Sequence, residues 1–564
     1  MNTTYCSIWN ESLGAWVAAS ENTRARGKRG GSRVAAAPGA LTLLASGHLR
    51  AGLMTALMTL GGMAVPSLAQ AQSVDCSVSP YNAYNSTASC MGLQSKASGI
   101  GATALGSLAQ AQQLGGLAVG YNALSSAQNS ISLGFQAYTT GVNSIYLGAR
   151  TGPTTGALGG GSIGIGTDVT ASGGNAVAVG SLALASGDNA TSIGVTARAT
   201  GLRSLALGFQ ANAAALDTVA QGNTATATAQ NAIAVGFQSV ATQLNSVYIG
   251  SRTAAGTGAT GVGAVAIGTD VTASQDNATA IGFQSKATAQ SSVAAGPNAA
   301  ASGAAAMALG SGTVASSINA VALGAAATAT AAGASALGTF SAATGANSTA
   351  VGSAAASGDR AFAGGRSANA AGSDSAAIGT FANATGISSA ALGNLANASA
   401  DFALAMGNQA VSSGVGAVAA GSGANAAAVG TVAMGNNATA TVSRATALGF
   451  GTAATGQNAT AVGALAAASA AQAIALGNSA KASALNAIAM GNSAVADAGD
   501  AVAIGNGSTA TGGKAVSIGS GNTAYGNGAV AIGDPSYASG TGAFTGGAVT
   551  IANSDGTGSA TAAN

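Results

Sequence analysis

Few residues in this chain have the right type and spacing for chemistry. Cys76 and Cys90 stand 14 residues apart. If the chain folds back on itself every 14 residues at both positions, their Cα atoms lie about 4.8 Å apart on neighbouring strands. That falls inside the disulfide range of about 4.4–6.8 Å. Closing a loop of about 15 residues is worth about 3 kcal/mol in the chain-entropy picture. The alternative is a pair of unrelated thiols, because Val78 and Ser79-Pro80-Tyr81 break the pattern around Cys76. Arg150 and Arg252 form a second set, in Tyr146-Leu-Gly-Ala-Arg150-Thr and Tyr248-Ile-Gly-Ser-Arg252-Thr. Each sits in a local insertion, where an exposed guanidinium would be a ligand-binding group; neutral decoration is the competing reading. Asp168 and Asp270 follow these segments within Thr-Asp-Val-Thr-Ala-Ser. Each stands alone, whereas calcium needs several clustered oxygens, so they read as exposed turn residues.

The remaining chemistry is excluded by composition. The one His, His48, and both Glu, Glu11 and Glu21, lie near the start. The rest has no material for a Ser-His-Asp triad, a His metal site or paired Glu catalysis. Gly159-Gly-Gly-Ser-Ile-Gly-Ile-Gly166 superficially offers a phosphate loop, but no Gly-Lys-Ser/Thr follows and no helix supplies an anion-binding end. No catalytic residue, metal or cofactor is expected, and the chain does not read as an enzyme. The net charge of +2 also misleads. Six of the 17 Lys/Arg and two of the 15 Asp/Glu lie in residues 1–71, leaving 11 basic against 13 acidic residues and no nucleic-acid patch.

The elements that carry these residues follow from self-similarity. Asn129-Ser-Ile-Ser-Leu-Gly134 recurs as Asn175–Gly180, Asn231–Gly236 and Asn486–Gly491. Its terminal Gly, the marker, steps by 14 along the chain, except for 18 at 148→166 and 250→268 and 13 at 352→365. Apolar residues three and one before the marker alternate with Ala or Ser, a period of two and therefore a short strand. A second small-residue alternation follows, then a second Gly or Asn turn. One unit is thus strand, turn, strand, turn: one coil of an all-β parallel solenoid of about 32 coils, on the order of 150 Å long at strand spacing. Two glycines per unit oppose a coiled coil. Such a coil looks too small to enclose a core, so the apolar stripe predicts association of identical columns, with Ile233, Val235, Ile474 and Leu476 buried between chains. Phe135, Phe209, Phe237 and Phe283, each followed by Gln, should form a partial ladder packed at one turn, or an exposed sticky stripe.

Residues 1–71 read as an exported leader: Arg24-Ala-Arg-Gly-Lys-Arg29, an apolar stretch at 51–65, Pro66, and Ala69-Gln-Ala71 for cleavage. Its opening, with Ile8-Trp9-Asn10 and Gly14-x-Trp16-Val-Ala18, resembles the extended signal-peptide region of large Gram-negative autotransporters. Residues 72–91 read as a cap or irregular first coil. The repeats at 92–547, of the form Asn-Ala/Ser-Val/Ile-Ala-Leu/Ile-Gly, resemble the head repeat of YadA-type trimeric autotransporter adhesins. The resemblance implies a left-handed β-roll that forms a homotrimer at the cell surface and attaches to extracellular matrix, host cells or other bacteria, held at the outer membrane by an anchor. Residues 548–564 show no heptads and no alternating aromatic strand, and read as a tail truncated before a stalk and anchor. A non-adhesive surface-structural or ice-binding solenoid is the alternative; Thr224-Ala-Thr-Ala-Thr228 does not recur in each coil, which disfavours the ice-binding form. A polysaccharide-cleaving β-helix would need clustered Asp, Arg or Lys in a groove.

Overall fold

The computed structural model describes residues 5–10, 15–20, 87–547, 550–552 and 558–560. The chain divides into two units, 1–70 and 71–564. In the first, β1 (Tyr5–Asn10) and β2 (Ala15–Ser20) form an antiparallel pair with Trp9 opposite Trp16. The basic run, the apolar stretch and the cleavage motif lie outside the described residues, as does Cys76.

The second unit is a parallel β-solenoid of about 33 coils, and no helix occurs among the described residues. Up to Thr523–Ala524 each coil has a long strand of three residues, such as Ile233–Val235, and a short strand of two, such as Val240–Ala241; the last coils lengthen these to four and three. Long strands pair only with long, and short only with short. The register is one coil exactly in step with the next: Ile233 opposite Val247, Ala234 opposite Tyr248, Val235 opposite Ile249. The turns are stitched between coils too, as in Asn245 N–H to Gln230 O at 3.0 Å and Gln238 N–H to Asn223 O at 2.8 Å. Most backbone donors at the corners are thus paired with backbone of the neighbouring coil, and some others donate to an aspartate one coil on, as Gly174 N–H to Asp188 and Val262 N–H to Asp276.

Contrary to expectation, the coil does enclose a core. Ala232, Ala234, Ser239 and Ala241 point inward from one coil and are fully buried. The pattern repeats, so the column is filled by four rows of mostly alanine. The methyl group is the largest side chain that two sheets this close admit in every layer. The branched residues on either side of each inward alanine therefore face out. Ile233, Val235, Ile474 and Leu476 all lie on the outer face of the long-strand sheet, half-buried in a single chain.

The marker glycine is a steric requirement at Gly236. Its φ is +125°, and a Cβ there would lie 2.0 Å from the Gly250 carbonyl oxygen of the next coil. Asn holds the opposite corner at φ between roughly +50° and +60°, for example Asn231 and Asn245, whose amides hydrogen-bond each other at 2.8 Å. The ladder also runs past residue 547. Thr550–Ala552 pairs in parallel with Ser536–Ala538 and antiparallel with Gly558–Ala560.

Candidate functional site: two clamped insertion loops

The two 18-residue coils break the column's regularity in the same way. In each, four extra residues enter between the marker glycine and the short strand: Gly148 to Gly156–Ala157, and Gly250 to Gly258–Ala259. The flanking long strands keep their register, Ile145 opposite Ile163 and Val247 opposite Val265. The loop therefore leaves the column and returns to it without disturbing the long-strand ladder, while the short-strand ladder below it shortens to one pair, Thr139 opposite Ala157 and Ala241 opposite Ala259.

Lifting the chain off the column removes an inward small residue. The long strand supplies the replacement, because Tyr146 and Tyr248 stand where alanine usually stands and are fully buried. The ring of Tyr146 lies against Gly164 of the next coil, where a Cβ would sit 2.9 Å from its Cδ2. The Tyr146 hydroxyl donates to Ala149 O at 3.0 Å, and that of Tyr248 to Ser251 O at 3.0 Å. Burial raises the pKa of both phenols above the usual value.

Asp168 and Asp270 are corrected by the structure. They are not free turn residues: Asp270 is buried and Asp168 half-buried. One oxygen of Asp270 accepts from the Thr253 N–H at 2.6 Å and the Ala254 N–H at 2.8 Å, and the other from the Thr253 hydroxyl at 2.6 Å. Asp168 does the same with Thr151 and Gly152. Each carboxylate clamps the first turn of the loop above it. The threonine hydroxyl, then the backbone amides, hold both carboxyls below their ordinary range.

The two arginines follow different courses. Arg150 folds back, its guanidinium 4.4 Å from the Tyr138 ring centroid and hydrogen-bonded to Pro153 O. The counterpart of Tyr138 beneath Arg252 is Val240. Both arginines are half-buried, and the Nε of each is buried without a hydrogen-bond partner. Neither stands free on its loop as a bare exposed cation.

Cys90 occupies an inward position of the first described coil, opposite Ala104, and is disulfide-bonded. Of the turn aromatics, Phe135, Phe209, Phe237 and Phe283 are each about half exposed. Phe135 stacks on Tyr121, which the sequence reading missed, at 5.6 Å between ring centroids and 14° between planes.

An asymmetry between the faces is the widest feature. Among the described residues, no outward residue of any long strand is charged, and most are Val, Ile, Leu or Met. The outward row of the short strands carries Lys96, Arg198, Lys286 and Lys481.

Comparison with known families agrees with this architecture. Residues 1–50 match the Extended Signal Peptide of Type V secretion system. The YadA head domain repeat matches in overlapping or nearly abutting placements through 97–151, 185–253, 259–355 and 384–544, well over half of the chain. The unmatched stretches between these blocks hold the remainder of each insertion loop and most of the 13-residue coil. No curated protein matches the chain. The chain belongs to the YadA-type trimeric autotransporter adhesin family, and carries the extended signal peptide of a protein exported for display at the cell surface.

Proposed function

We propose that three copies of this column pack through the outer face of their long-strand sheets, at the outer membrane of a Gram-negative bacterium, and attach the cell to matrix, host cells or its own kind. The role is non-catalytic. The observation that carries the reading is the outer face of the long strands, uncharged among the described residues and mostly apolar, running over about 33 coils. A lone column would leave that stripe in water along its whole length, and association of identical columns removes it. Ile233, Val235, Ile474 and Leu476 lie on this face. Attachment by such a rod gains from repetition, since weak contacts multiply over three chains and many molecules.

The test combines assembly with attachment. Mass photometry of the exported chain should give a trimer. Val235→Asp with Leu476→Asp should reduce it to monomers, because carboxylates buried at the seam lack partners. Cells displaying the native column on a borrowed stalk and anchor should bind matrix-coated surfaces or aggregate, and the double variant should do neither. A stable native monomer refutes the assembly. Verified display without attachment or aggregation across a broad panel refutes the function.

A further inference from the structure

The second insertion loop overhangs an open groove of ≈ 500 Å³. The overhang is Ala254–Thr257. The floor is built by the in-register stack below it. Thr272, Lys286 and Ala300 follow one another on the short-strand sheet. Gln284 and Asn298 follow Asp270 along the adjoining corner, at φ +53° and +56°.

What these groups have left to offer defines the ligand. The Asp270 carboxylate is spent on three donors of the loop. Lys286 is exposed and belongs to neither ion pair found among the described residues, Arg203–Asp217 and Arg360–Asp374. The side-chain amides of Gln284 and Asn298 and the hydroxyl of Thr272 also line the groove. One ammonium beside two primary amides and a hydroxyl suits a small polyol carrying one negative charge. A single cation is too little for a polyanion, which recruits several.

The chain carries its own comparison. A shift of 102 residues superimposes one insertion on the other, and the clamp is retained: Tyr146 and Tyr248, Thr151 and Thr253, Asp168 and Asp270; of the floor, Thr170 matches Thr272. The rest of the floor is not retained. Leu182, Leu184, Thr196 and Arg198 stand at the positions of Gln284, Lys286, Asn298 and Ala300. The scaffold needs the clamp at both loops, but below the first loop it accepts two leucines, with the cation Arg198 one coil further on, as readily as Gln284 and Lys286 below the second. The second lining is therefore not dictated by folding.

We propose that the groove under residues 254–257 binds the terminal sugar of a glycan through that sugar's carboxylate. Lys286 meets the carboxylate, while Gln284, Asn298 and Thr272 take the ring hydroxyls. This names a ligand class for the attachment proposed above and rests on that reading for its purpose. Binding is measured here without cells, so its failure leaves attachment by other surfaces standing.

Saturation-transfer difference NMR on the full exported chain tests it, with N-acetylneuraminic acid and glucuronic acid as probes and glucose and acetate as controls. The acidic sugars should take up saturation and the controls should not. Gln284→Leu with Lys286→Leu gives the second floor the two leucines of the first. It should weaken binding about ten-fold or more, the loss expected for a charged hydrogen bond, with the circular dichroism of the column unchanged. Lys286→Arg should keep binding. No transfer to either acidic sugar, equal transfer to glucose or acetate, or undiminished transfer in the folded double variant would each overturn the proposal.

Discussion

Gly236→Ala tests the stacking geometry at its tightest point. The substitution adds one methyl group, which would lie 2.0 Å from Gly250 O and 2.7 Å from Gly250 C. Ordinary contact begins near 3.4 Å, so the neighbouring coil must retreat by more than 1 Å or residue 236 must leave its φ of +125°. Retreat stretches the Gly250 N–H to Val235 O bond of 2.8 Å and the Ile233 N–H to Ser246 O bond of 2.9 Å. Strained backbone for a residue with a Cβ costs about 1–3 kcal/mol, and overpacking adds about 1–3 kcal/mol. The sum is about 2–6 kcal/mol, confined to the coils that touch residue 236, because a solenoid's stability is a sum of neighbour terms. Gly507→Asn is the matched control. Gly507 has φ +62° with nothing within 4 Å of its Cβ site, and Asn122, Asn298 and Asn437 hold the equivalent corner at φ 52–56°. It should cost less than about 0.5 kcal/mol. Hydrogen exchange read by mass spectrometry should show protection over 231–264 falling at least about thirty-fold in Gly236→Ala, with 390–420 unchanged. Equal protection in the two variants would refute the close-approach argument.

Two further outcomes follow from the site. Because its folded pKa lies below the unfolded value of about 3.9, Asp270 stabilises its loop above about pH 4 and loses that contribution as pH falls through the folded pKa. Corrected for intrinsic rates, exchange at the Thr253 and Ala254 amides should therefore accelerate on acidification below pH 4, and Asp270→Asn should flatten the response; an unchanged profile in the variant would count against the clamp. Peptide mapping of the exported chain under non-reducing conditions should recover Cys90 linked to Cys76, and reduction should loosen the first coil by up to about 3 kcal/mol; two titratable thiols per chain would end that pairing.

The repeat was legible because its signal is geometric. A glycine every 14 residues is what a backbone needs when a carbonyl of the next coil occupies the Cβ site, and few other demands produce that period. Which side of each strand faces in was harder to read. Alternation separates Ala234 from Ile233 and Val235, but hydropathy ranks the branched pair as the better core, and the width of the coil reverses the ranking. The clamp was not legible at all. Thr253 and Asp270 lie 17 residues apart, a separation that neither strand alternation nor the 14-residue period singles out. Tyr146 and Tyr248 did carry a usable signal, since a tyrosine replaces a core alanine only where a long loop leaves room.

These constraints determine where a ligand can be specified. The inward rows hold little beyond Ala, Ser and Thr: Tyr146 and Tyr248 are matched by a loop, and Asn522 satisfies its amide on Ile518 O and the Ser536 N–H. The outward rows of the long strands hold no charge among the described residues, as a seam between copies demands. The corners and the outward row of the short strands remain, and every described charged residue lies there, from Lys96 to Asp534. Some of that charge serves the stack itself, as where Arg203 and Arg360 pair with Asp217 and Asp374 one coil on. Exposed pairs of this kind contribute little to stability, so they change at little cost to the fold. Corners and loops of such a column can change without disturbing its core, and the two insertion loops show this within a single chain, with one clamp kept over two different floors.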